Sequence, residues 1–282
     1  MYRFAISGNS RGLVTGRCVG CIEGIVRLTG LGFRSLRDGV DHPGCVDATP
    51  SSLYKGHRFP VEIMSHCVWL YHRFPLSLRD VEEMMAERGV SVSSDTIHQW
   101  CRKFGQTYAN GLRRRRARPG DKWHLDEVFI TIAGRTHYLW RAVDQHGNVL
   151  DILVTSRRDA TAATRFFRKL LKKLRYVPPV LVTDKLASYP VAHRQLMPGV
   201  EHRRSTYLNN RVENSHQPTR ARERARKKFR SPGGGQRFLS TFSGISAHFR
   251  PRQHRLTAEE HRRETDTRFT TWNEIVGLPA AA

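Results

Sequence analysis

WHLDEVFITI, residues 123–132, is rich in aliphatic, aromatic and β-branched residues and reads as a buried strand, yet Asp126 and Glu127 stand in its middle. A carboxylate inside an apolar strand loses hydration at a cost of several kcal/mol unless a cation or a hydrogen-bond network compensates. Either the strand meets solvent at a site or it holds a metal. A lone Asp at a strand edge is also a common solvated residue or Arg partner, so the segment needs support from elsewhere.

That support is residues 179–185, PVLVTDK, a second short apolar run that delivers Asp184 where a parallel strand would end. Ligands of open α/β sheets gather at such ends. Between the two runs the hydrophobic pattern gives a meander: a turn at 133–135, a returning strand over 137–143, a turn at 144–148 and a strand over 149–155. A helix over 159–175 then places Ala162, Phe166, Leu170 and Leu174 on one face. Three antiparallel strands, a crossover helix and a fourth strand make a mixed α/β sheet.

The 282 residues carry 48 Lys and Arg against 25 Asp and Glu, a formal charge of +23. A field of that sign attracts polyanions, and the Arg runs favour nucleic acid over a membrane surface. No apolar run approaches the roughly 20 residues that span a bilayer, and no secretory signal is read. Five scattered cysteines do not make a disulfide framework, the single CxxC pair of Cys18 and Cys21 is a weak zinc signal, and a reducing cytoplasm is expected.

Residues 1–53 show no sustained period and are left without a fold. From Phe59 the texture changes. Pro60 suits the first turn of a helix whose Val61, Met64, Val68 and Tyr71 recur at helical spacing, until Pro75 breaks it. Ser77 caps a second helix with Leu78, Val81, Met84 and Met85 on its apolar face, and Gly89 closes it. A third helix opens at Ser93, Ser94 or Asp95 and has a basic polar face. This is the shape of a helix-turn-helix, in which Thr96, His98, Gln99, Arg102 and Lys103 would face a DNA groove while Ile97 and Trp100 pack inward. An ordinary helical bundle has the same pattern, and the basic charge tips the reading toward DNA. Arg113, Arg114, Arg115 and Arg116, with Arg118, follow as a linker that also offers phosphate contacts.

A third acid comes from Glu213, in the first turn of a basic helix opened by residues 209–216, NNRVENSH. Arg220 lies seven residues on, two turns along the same face, where it would grip a phosphate. His124 and His216 lie near these acids and read as structural or DNA-proximal groups rather than ligands. Glu127 should point to the sheet face opposite Asp126, and is left out of the acidic set. Phe238, Leu239, Phe242 and Ile245 form a helical stripe read as core.

These segments, WHLDE, YLWRAVD at 138–144, SRRDATAA at 156–163, VTDKLASY at 182–189, VEHRR at 200–204 and NNRVENSH, resemble in order the transposases of bacterial insertion sequence family six. The upstream RFPVEI, LSLRDVEEMMAERGVSV and TIHQWCRKF do so too, and the resemblance runs from about residue 55 to about 250. It implies an RNase H-like mixed sheet flanked by helices, preceded by a small all-α helix-turn-helix domain. The expected division is 1–53 unassigned, 54–112 helix-turn-helix, 113–121 basic linker, 122–250 catalytic domain and 251–282 tail. Asp126, Asp184 and Glu213 become the catalytic triad and the ligands of two Mg2+ ions, with Mn2+ as substitute, and Arg220 the family's basic position after the Glu. The interval from Asp184 to Glu213 is several residues shorter than is usual for the family.

The implied activity is binding of terminal inverted repeats and metal-dependent cleavage and strand transfer of double-stranded DNA, in a bacterial, nucleoid-associated setting. A homo-oligomer, at least a dimer, is expected because two element ends must meet. The rival readings are a catalytically inactive helix-turn-helix regulator and a nuclease or integrase of the same core. Convergence of the acids separates the regulator from the others.

Overall fold

The computed structural model describes residues 52–116, 118–205, 210–225, 229–250 and 256–278, with the side chains at 52, 210–215, 224 and 225 outside that description. The Cys18 and Cys21 pair and nearly all of the unassigned first segment therefore lie outside the described residues.

The apolar periods read upstream become α1 (Val61–Arg73), α2 (Leu78–Ala86) and α3 (Ser94–Arg114). Pro60 takes the N-cap of α1 rather than its first turn. Ser77 and Asp80 form a reciprocal capping box at α2, and the Ser93 hydroxyl accepts the Thr96 N–H at α3. Gly89, at φ 74°, supplies the left-handed residue that turns the chain between them. Helix α3 runs well past Lys103 because Phe104, Tyr108, Ala109 and Leu112 continue its buried face.

Downstream lie β1 (Lys122–Ile132), β2 (Arg135–Asp144), β3 (Val149–Thr155), α4 (Ala160–Leu174), β4 (Val180–Thr183), α5 (Ser188–Leu196) and β5 (Glu201–Arg204). Then come α6 (Asn210–Ala225), α7 (Pro232–His248) and α8 (Ala258–Val276). The five strands form one sheet in the order β3-β2-β1-β4-β5. β1 is antiparallel to β2 and parallel to β4, and β5 runs parallel to β4. This is the expected RNase H-like mixed sheet with flanking helices.

Alternation along β1 builds two cores. Trp123 and Leu125 face α4 and α5, where Trp140, Phe166, Phe167 and Tyr189 fill the layer. Val128, Ile130 and Ile132 belong to the opposite core, shared with Phe238, Leu239, Phe242 and Ile245 of α7 and with the buried faces of α1 to α3. The stripe on α7 is thus core, as read. The stretch described from sequence as a tail contains α8, opened by a Thr257 and Glu260 capping box and buried through Trp272 and Val276.

The outer edge of β3 is covered by side chains. Lys169 Nζ donates to the Ile152 carbonyl at 2.5 Å, Lys173 Nζ to Leu150 at 3.2 Å, and Gln236 Oε1 accepts the Val154 N–H at 2.7 Å. An edge satisfied in this way does not template another strand.

Candidate active site at the ends of β1 and β4

The parallel register ends with Leu125 opposite Thr183, so Asp184 follows level with Asp126 on the neighbouring strand. Carboxylate oxygens of Asp126, Glu127 and Asp184 all lie within 4.8 Å of one another. Asp126 and Asp184 therefore converge, as expected. Glu127 shares its sheet face with Leu125, as alternation required, yet its carboxylate still reaches the same cluster around the short end of β4.

Glu127 is almost wholly buried and both of its oxygens are engaged. Arg158 donates to Oε1 from Nε at 2.7 Å and from a terminal nitrogen at 2.5 Å, and the Tyr189 hydroxyl donates to Oε2 at 2.6 Å. Burial, aided by the Asp184 and Asp126 charges, pushes Glu127 up to about 7 against the pull of Tyr189 and Arg158. The same Arg158 terminal nitrogen lies 3.9 Å from Asp184 Oδ2. The other Asp184 oxygen accepts the Leu186 N–H at 3.0 Å, which fixes the side chain at the start of the following turn. Burial and the nearby Asp126 charge hold Asp184 above its ordinary range, although Leu186 and Arg158 oppose the shift.

On the other face, His216 Nε2 of α6 lies 3.4 Å from Asp126 Oδ2, and burial lowers the imidazole pKa despite that neighbour. Helix α6 also carries Glu213, whose side chain lies outside the described residues. Its backbone position is three residues before His216, hence on the same side of the helix. Helix α6 is anchored to the sheet by Arg141, which is fully buried and donates to Thr219 Oγ1 at 2.7 Å, and by Glu223, which accepts the Thr131 N–H at 2.9 Å. Arg141 stands directly opposite Asp126 in the antiparallel ladder and so shares its face. Burial lowers the Arg141 pKa to about 10.

The residues expected to touch DNA divide into two groups. On α3, Gln99, Arg102 and Lys103 are exposed, Thr96 and His98 are half-buried, and Ile97 and Trp100 are buried as expected. Lys103 Nζ lies 2.8 Å from His57 Nε2. Arg220 of α6 is exposed, as are Arg114 and Arg115, the latter 3.4 Å from Glu274. Arg113 and Arg116 are turned inward instead. Arg113 bonds to Ser240, and Arg116 donates to the carbonyls of Val149 at 3.0 Å and Gly244 at 3.1 Å, so both guanidinium groups tie the end of α3 to β3 and α7. A run of four arginines looks the same in sequence whether it is solvated or inserted between elements.

Arg158, Tyr189 and Arg141 were not singled out from sequence, although each lies inside a quoted segment. Pairing across elements, not spacing within one, is what reveals them.

The sequence model of the DDE domain family matches residues 120–252, the whole of the sheet and its flanking helices through α7. Two Staphylococcus aureus proteins, the transposase for insertion sequence-like element IS431mec of strain Mu50 and the transposase for insertion sequence element IS257 in transposon Tn4003, are each 30% identical over 175 residues, 60% of this chain and 78% of the relative. Among solved structures, the HTLV-2 integrase catalytic core domain in complex with magnesium (dimeric form) is 16% identical with a TM-score of 0.29, over 39% of this chain and 86% of that one. With insertion-sequence transposases matched over 78% of their length and the DDE domain matched across the acidic strand ends, the chain belongs to the DDE transposases of bacterial insertion sequence family six.

Proposed function

We propose that this transposase binds the terminal inverted repeats of its element and carries out divalent-metal-dependent cleavage and strand transfer, with Asp126, Asp184 and Glu213 as its catalytic acids. The observation that carries the reading is the meeting of Asp126 and Asp184 carboxylates, from separate strands, beside the helix that bears Glu213.

The donor set fits hard divalent cations. Its atoms are carboxylate oxygens, partly exposed at Asp126 and Asp184, and burial together with the Asp126 charge raises the Asp184 pKa despite the Leu186 N–H and the Arg158 and Arg204 cations, so a divalent cation would relieve that penalty. Asp126, Asp184 and Glu213 would hold two Mg2+ ions, with Mn2+ as substitute. When bound, such a pair supplies activation of the attacking oxygen and charge stabilisation of the leaving oxygen in an in-line displacement at phosphorus.

The remaining roles fall to side chains of the chain itself. Glu127, saturated by Arg158 and Tyr189, is an anchor rather than a ligand: it keeps Arg158 beside Asp184 so that Asp184 has one preferred position. His216 packs against Asp126 and limits its swing. Arg220, exposed and seven residues beyond Glu213, would meet a backbone phosphate. Thr96, His98, Gln99, Arg102 and Lys103 form the DNA-facing part of α3, with Arg114 and Arg115 extending it along the backbone. Two ends of an element have to be held together, so the working form is at least a homodimer.

The test is a nicking and strand-transfer assay on duplex DNA carrying the element's terminal inverted repeats. Asp126→Asn and Asp184→Asn should abolish both reactions in Mg2+ and in Mn2+ while gel-shift binding stays within about threefold of wild type. Equal loss of binding and cutting would make the acids structural and return the chain to the regulator reading.

A further inference from the structure

Phe129 is 62% exposed in the middle of β1, a strand otherwise largely buried, and no other aromatic residue is among the exposed large hydrophobic side chains of the described residues. Its surroundings distinguish it from an incidental surface residue. Two positions before it on the same sheet face is Glu127, and three before it is Asp126, about 10 Å along the strand. The Arg158 guanidinium lies 5.8 Å from the centre of the Phe129 ring while also pairing with Glu127 and reaching toward Asp184. Tyr138, its cross-strand partner, supports the ring at 5.3 Å.

We infer that Phe129 and Arg158 form a nucleotide platform at the lip of the carboxylate cluster, taking an unpaired base of the strand whose phosphate is processed there. This inference rests on the transposase reading above. The ring offers a flat apolar face, and Arg158 offers a cation that Glu127 holds in place. A nucleotide presents the complementary pair, a π-face and an anionic backbone. The chain's +23 charge favours the same occupant over an apolar protein surface. The distance along β1 puts the platform within reach of the nucleotide next to the reacting phosphate, which sits over the central strand where β4 ends. Stacking tolerates any base, so the platform adds grip on frayed DNA without adding sequence preference.

The probe is a forked DNA duplex carrying 5-iododeoxyuridine at successive positions of an unpaired 3′ arm, irradiated in complex with the full chain and mapped by peptide mass spectrometry. Wild type should crosslink at Phe129 from one or two arm positions and should prefer the fork over a fully paired duplex. Phe129→Trp should keep both properties. Phe129→Ala should lose the crosslink and weaken fork binding by about tenfold, as expected for one lost aromatic stack, with paired-duplex binding unchanged. Crosslinks that map elsewhere, or fork binding indifferent to Phe129→Ala, would overturn the platform alone. If Phe129→Ala changes the oligomeric state in sedimentation but not the fork preference, a second copy covers the ring and the platform is again overturned. A wild-type chain that binds neither probe would sink the DNA reading itself.

Discussion

The guanidinium carbon of Arg222, on α6, lies 4.3 Å from the ring centre of Tyr71, on α1, and 5.3 Å from that of Phe238, on α7. The same group donates to the carbonyl of Leu76, in the turn between α1 and α2. A buried cation is thus held between two aromatic faces, and the helix that carries Glu213 is fastened to the upstream helices. Arg222→Met keeps much of the volume but removes the charge and its donors. It should cost about 2 kcal/mol of stability, from the lost cation–π contact and an orphaned carbonyl. It should also slow cleavage more than it weakens DNA binding, because α6 loses a fixed point. Urea unfolding alongside cleavage and gel-shift assays measures all three; unchanged cleavage at reduced stability would make the contact purely structural.

Glu127 gives a second prediction. Its carboxylate is the only group bonded to both Arg158 and Tyr189 among the described residues. Glu127→Gln retains an acceptor for Tyr189 but turns an amide N–H2 toward Arg158, where charge-assisted pairing is replaced by donor facing donor. Cleavage should fall at least about tenfold with gel-shift binding intact. Arg158→Lys should fall comparably, since an ammonium cannot reproduce the two-nitrogen approach to one carboxylate. Full activity in both variants would remove the positioning role.

A third prediction concerns the close approach of α3 and α7. A Cβ at Gly244 would stand 2.6 Å from Ala109 Cβ and 3.2 Å from its Cα, so the clash includes backbone of the facing helix. Gly244→Ala should destabilise by about 1–3 kcal/mol through overpacking. Gly111→Ala meets only the Ile275 side chain, 2.7 Å away at its nearest, and Ile275 can adjust; its cost should be smaller. Thermal unfolding of the two variants ranks them, and a reversed ranking would contradict the packing account.

The parts of the fold that depend on local period were readable in the sequence. The strands around the 133–135 and 144–148 turns, Ser77 as a cap and the burial of Ile97 and Trp100 all follow from spacing over a few residues. Asp126 and Asp184 were readable because each is an acid at an apolar strand. What was not readable depends on which elements meet. Helix α5, SYPVAHRQL, is short and carries Pro190, so its period is weak, and the value of Tyr189 comes only from its bond to Glu127. The inward turn of Arg113 and Arg116 is set by carbonyls of Val149, Ser240 and Gly244, far away in sequence. For α8 a legible signal was present, Thr257 followed three residues later by Glu260, but a sparse apolar stripe hid it.

The last prediction is a loss of stability in mild acid. His66 on α1, His202 on β5 and His248 on α7 all have pKa values lowered to about 4, in each case chiefly by burial. Neighbouring cations add to it: Arg88 at His66, Arg204 at His202, and Arg268 and Arg116 at His248. An unfolded His titrates near 6.5, so between about pH 6.5 and 4 the unfolded chain binds more protons than the folded one. The stability these neutral histidines allow is complete above the unfolded pKa and declines as pH falls through that window. His66 is the cleanest reporter, since its ring is buried and its Nδ1 has no hydrogen-bond partner among the described residues. Replacing it with a non-titrating apolar group, His66→Leu, should flatten the decline in urea-unfolding free energy between about pH 7 and 4.5, whatever it does to stability at pH 7. A variant whose stability falls with the same slope as wild type would show that His66 takes up its proton without opening the fold.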